Sequence, residues 1–111
     1  MHIQLAAGAF MVPPWLRSFL DQRLQQIFAP LRQHVRSIVI RLQELSRAAD
    51  GRDMVCEVAL TLVHAPQLVI REAQEDMRTA IEFALRRAAH RAGRLLSLRR
   101  RHAAGHAALR L

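Results

Sequence analysis

The chain has 111 residues, 51% hydrophobic and 23% charged, a make-up that suits one globular domain with its own core. It has no run of about 18 apolar residues, which excludes a membrane-spanning helix, and its lone cysteine, Cys56, excludes an intrachain disulfide and fits a reducing compartment, the cytoplasm. The net charge of +8 comes from 17 basic residues, all arginine, against nine acids.

That charge is unevenly placed. Arg78 to Leu111 holds nine arginines and a single acid, Glu82, whereas in residues 1–77 eight arginines balance eight acids. A one-sided positive charge points to a polyanion, either a nucleic acid or an anionic surface. Residues Met1 to Leu20 are fairly apolar, but they lack a basic leader and are broken by Pro13-Pro14, so no signal peptide is expected.

In chain order, His2 to Ala6 alternates, with Ile3 and Leu5 on one side, and predicts a first strand. Pro13-Pro14 opens a helix, since proline suits a first turn whose N–H groups have no partner. Leu16, Leu20, Leu24, Ile27, Phe28 and Leu31 carry the helix at three- and four-residue spacing, and Pro30 ends it. Val35 to Leu45 is a half-buried strand with Ile38, Ile40 and Leu42 on one side. Asp50-Gly51 marks a turn, and Met54 to Val63 is the next strand, with Cys56, Val58, Leu60 and Leu62 inward. Ala65-Pro66 marks a short turn before Gln67 to Ala73, a strand with Leu68 and Ile70 inward. The three consecutive strands form an antiparallel meander.

A long helix follows, capped by Asp76, with Met77, Ile81, Leu85, Ala88, Ala92 and Leu95 on its apolar stripe. The expected fold class is α+β: a β-α-β-β-β-α two-layer sandwich, four strands with two helices on one face. The domain is expected over residues 1–98, with an arginine-rich tail, flexible without its partner, over 99–111.

Sorting the last helix at 100° per residue sets Arg86, Arg87, His90 and Arg94 opposite the apolar stripe, joined by Arg101 if the helix continues. Arg86 to Arg101 spans about 22 Å at 1.5 Å per residue, a row able to meet several phosphates, each with two parallel hydrogen bonds. Arg99 and Arg100 extend the same basic run. Such a row of like charges, with almost no acid among them, disfavours an isolated helix unless an anion meets it. Phe83 lies among these arginines and off the stripe, where an aromatic ring can stack on an exposed base. Trp15 lies off the stripe of the first helix and is read as a cap on the sheet edge.

Catalysis has no foothold. The chain carries no glycine-rich phosphate loop, no nucleophile elbow and no zinc motif. Glu75-Asp76 is accounted for by the start of a helix. His102 and His106 have helical metal-ligand spacing but no further ligands, so no metal, cofactor or small-molecule substrate is expected. The reading of the residues alone leaves a second possibility open, a basic module docking on an acidic protein or on a membrane surface.

Several motifs resemble a family. Glu75-Asp76-Met77-Arg78-Thr79-Ala80-Ile81-Glu82 is similar to the opening of the second helix in the ribosome hibernation promoting factor and ribosome-associated inhibitor family, short form. Trp15-Leu16-Arg17-Ser18-Phe19, followed by Arg23 and Leu24, is similar to its first helix, and Val35 to Leu42 to one of its strands. The likeness covers about residues 1–98. It implies a fold akin to double-stranded-RNA-binding domains and occlusion of the mRNA and tRNA channel of the small ribosomal subunit through ribosomal RNA contacts. By position it implicates Arg17, Arg23, Arg87, His90 and Arg94; Arg86 is added on face geometry alone. Arg78 stands where the family has tyrosine, and Ala65-Pro66 replaces a Gly-Gly turn.

Overall fold

A computed structural model describes residues 1–46 and 51–108, with side chains through Leu98 except that of Arg52. The elements are β1 (His2–Ala6), α1 (Pro14–Phe28), a 3-10 segment (Ala29–His34), β2 (Val35–Ser46), β3 (Arg52–Leu62), β4 (Leu68–Gln74) and α2 (Met77–Ala108). The sheet order is β1-β2-β3-β4, so the expected α+β sandwich is the architecture observed. β2, β3 and β4 form the antiparallel meander. β1 lies parallel to β2, with Ile3 opposite Ile38 and Leu5 opposite Ile40. A parallel neighbour needs a crossover, and α1 supplies it. Gly8, at φ 56°, turns the chain out of β1, with the Phe10 amide donating to the Ala7 carbonyl at 2.9 Å.

Both helices bury their stripes on one sheet face. Leu16, Leu20, Leu24 and Phe28 of α1 meet Ile38, Ile40, Val58, Leu60 and Ile70 of the sheet. α2 adds a file of alanines, Ala80, Ala84, Ala88 and Ala92, all fully buried. Small side chains four residues apart let the helix axis lie close to the strands, and interiors packed to crystal-like density leave no room for larger ones. Continuing that file one turn makes Leu96 the buried residue at the end of the stripe, while Leu95, the residue expected there, is half-buried.

Asp76 caps α2 as expected. Its carboxylate accepts from the Thr79 amide at 3.0 Å and from the Thr79 hydroxyl at 3.1 Å. Replacing Asp76 by alanine is expected to cost about 1 kcal/mol, read as a lower urea midpoint with an unchanged slope. The backbone of α2 is helical through Ala108 and so carries residues 99–101 on the same helix. Asp50 and the last three residues lie outside the described residues.

Cys56 is a free, fully buried thiol beneath the helices. Burial, reinforced by the nearby Glu57 and Glu72 carboxylates, pushes its pKa up to about 12. A thiol held protonated and out of solvent does not attack electrophiles. Iodoacetamide is therefore expected to leave the native chain unmodified by mass and to label it fully in denaturant.

Candidate nucleic-acid interface

The two helices run side by side in the same direction, because partners along their seam climb together in number. The Arg78 guanidinium sits 4.7 Å from the centre of the Phe19 ring. One turn further along each helix, Arg23 grips Glu82 with two hydrogen bonds, Nε to Oε1 and Nη2 to Oε2, both at 2.6 Å. This pair is four-fifths shielded from solvent on both sides. Arg86, one turn along α2, donates its Nε to the same Glu82 carboxylate. The hydrogen bond from Arg23, supported by that from Arg86 and by both positive charges, outweighs the cost of burial and holds the Glu82 carboxyl at about 2, well below its ordinary value of 4.5.

Arg87 points to the other flank of α2. It pairs with Glu72 of β4 and also donates to the Arg71 carbonyl at 3.3 Å. Arg86 and Arg87 therefore do not form one uniform row, since each leans over a different edge of the helix and each has an acid beneath it. The single acid of α2, Glu82, serves Arg86 on the α1 flank, and Glu72 of β4 supplies the acid for Arg87 on the other. Arg17 pairs with Asp21 one turn on, both side chains being about half exposed.

Of the proposed contacts, His90 and Arg94 are exposed, and Arg94 has no acidic partner among the described residues. Arg91, one turn beyond Arg87, shares both properties and lines a shallow depression with Arg94, Leu95 and Leu98. Sequence reasoning passed over Arg91 because it scored a single face; its signal was the spacing of four from Arg87. The side chains of Arg99, Arg100 and Arg101 lie outside the described residues. Phe83 is 45% exposed, as its position off the apolar stripe predicts. Trp15 is 59% exposed and so does not cap the sheet edge, because Leu16 and Leu20 occupy the inward positions of that end of α1.

Among the described residues no group of histidine, cysteine, aspartate or glutamate could hold a metal ion, and no helix is long and apolar enough to cross a membrane.

A mixed four-stranded sheet under two parallel helices, with the net charge concentrated on the second, defines a basic two-layer α+β domain. Solved structures share this architecture. A ribosomal subunit interface protein from Coxiella burnetii aligns with a TM-score of 0.73 over 87% of this chain and 99% of its own, at 16% identity. The N-terminal domain of Protein Y from Thermus thermophilus aligns with a TM-score of 0.66 over 86% of this chain and 99% of its own, at 18% identity. At these identities the likeness is one of fold. No known family's sequence profile matches the chain, and no curated protein matches it.

Proposed function

We propose that this protein is a ribosome-associated translation inhibitor of the hibernation type, which binds ribosomal RNA of the small subunit through its helices and occludes the mRNA and tRNA channel. The observation that supports the reading is a fold shared over 87% of this chain with nearly the whole of a ribosomal subunit interface protein, in a chain whose net +8 falls entirely in residues 78–111. The role is binding without catalysis, in the cytoplasm.

On this reading Arg94 and His90 meet phosphates directly, and residues 99–111 form a basic extension of the 1–98 domain, with Arg99, Arg100 and Arg101 continuing the contact. Arg17, Arg23, Arg86 and Arg87 contribute by exchanging an internal carboxylate for an RNA phosphate. That exchange returns less free energy than engagement of an unpaired arginine, since a hydrogen-bonded charge pair must first be opened.

Co-sedimentation with purified small subunits tests the proposal. Binding is expected at low salt, with log K falling by about 0.7 to 0.9 per phosphate contact for each unit of log salt. Failure to co-sediment at low salt refutes it. RNase treatment of lysate complexes is expected to release the protein, whereas retention would favour an acidic protein or membrane surface as the partner.

A further inference from the structure

The seam between α1 and α2 opens outward into a groove of about 480 Å³, lined by Phe19, Arg23, Arg78, Thr79, Glu82, Phe83 and Arg86. Its composition is unusual for this chain, which has only five aromatic residues, four phenylalanines and one tryptophan. Phe10, Phe19 and Phe28 pack in or against the core, whereas Phe83 is 45% exposed; Phe19, by its outer part, and Phe83 both line this groove. Trp15 precedes Phe19 by one helical turn, so its exposed ring lies on the same side of α1.

Arginines are interleaved with these rings. Arg78 is fixed over Phe19, and Arg23 and Arg86 are fixed by Glu82. Between them the Glu82 carboxylate stays ionised across the whole physiological pH range. Glu82 already takes up donors of Arg23 and the Nε of Arg86, leaving fewer for a phosphate inside the groove, whereas the flat apolar face of a base needs none of them to meet the rings. Phosphates are left to the arginines at its rim.

We infer that this groove receives an unpaired base of single-stranded RNA, with Phe83 as the stacking platform and Arg78 and Arg86 on the flanking phosphates. The inference rests on the RNA-binding reading above and adds that the strand is single. A duplex hides its base faces and offers a helix pair phosphates, 2′-hydroxyls and minor-groove base edges, none of which stacks on an aromatic ring, so it leaves Phe83 and Trp15 in water. Stacking on aromatic rings between arginines is how proteins hold single strands with little regard to sequence.

The test uses the full chain with labelled oligouridylate of about 12 nucleotides, single-stranded or paired to oligoadenylate, followed by anisotropy. Trp15, the sole tryptophan, gives a second readout. The single strand is expected to bind and to quench Trp15 emission. Phe83→Ala is expected to weaken single-strand binding by about fivefold or more, the effect of one stacked base, and to leave duplex binding unchanged. Phe83→Tyr is expected to restore it. Circular dichroism identifies a variant that fails to fold, in which case Phe83→Tyr against Phe83→Leu, both close in size to the native side chain, carries the comparison.

Equal affinity of the native chain and Phe83→Ala for the single strand overturns the inference. So does a native chain that co-sediments with small subunits yet ignores the single strand, and in that outcome the ribosomal reading stands. A chain that binds neither takes both down.

Discussion

Replacing Arg91 and Arg94 together by glutamate is expected to lower affinity for small ribosomal subunits by about a hundredfold at moderate salt and to flatten the log K against log salt slope by about two. Both side chains are exposed, neither has an acidic partner among the described residues, and neither belongs to the core. The loss should therefore appear with an unchanged melting curve. Reversing Arg86 and Arg87 is a poorer test of binding. Each is paired with a carboxylate, Glu82 and Glu72 respectively, so a glutamate there faces another glutamate and disturbs the fold together with the surface. If the Arg91, Arg94 double variant binds as the native chain does, these two arginines of α2 are not the contact.

The second large effect is on stability against pH. Glu82 titrates at about 2 in the folded chain against an ordinary 4.5, so the folded state favours its ionised form. Its contribution is present in full above about pH 4.5 and is lost as the pH falls through that value toward 2. A shift of this size corresponds to at most about 3 kcal/mol, and solvent at the rim of the pair reduces it to about 2 kcal/mol. Urea midpoints measured from pH 7 to pH 2 should decline along this limb. Glu82→Gln keeps the shape of the side chain and removes its charge, so it should start about 2 kcal/mol lower at pH 7 and show a much flatter acid limb. A variant whose acid limb matches that of the native chain would assign the decline to other carboxylates.

Much of the fold was legible in the sequence because periodicity carries it. Alternation in Val35 to Leu45 and Met54 to Val63 marks strands whether or not their partners are known, and Asp76 announces a helix because an acid there can reach only the free amides of the first turn. The parallel seating of β1 was not legible, since an alternating strand reads the same beside either kind of neighbour.

The candidate interface was legible in its charge and less so in its detail. Treating α2 as an isolated cylinder gives the exposure of Phe83, His90 and Arg94 correctly. It cannot reveal that Arg23, 59 residues away in sequence, shares Glu82 with Arg86, or that Glu72, inward on β4, turns its charge toward Arg87. Such pairs arise only when elements are docked, and they divide the arginines of α2 into those paired with a carboxylate and those, such as Arg91 and Arg94, without one among the described residues.

The confinement of net charge to residues 78–111 has a consequence for motion before contact. Neutral through residue 77 and strongly positive thereafter, the protein carries a permanent electric moment and not merely a net charge. In the field of a polyanion such a charge distribution would feel a torque as well as an attraction, turning the arginine-bearing part of the chain toward the source. Orientation is then largely selected before any hydrogen bond forms, which raises the productive fraction of encounters. Added salt shortens the reach of that torque to about 10 Å at 0.1 M, so association should slow with ionic strength more than dissociation quickens.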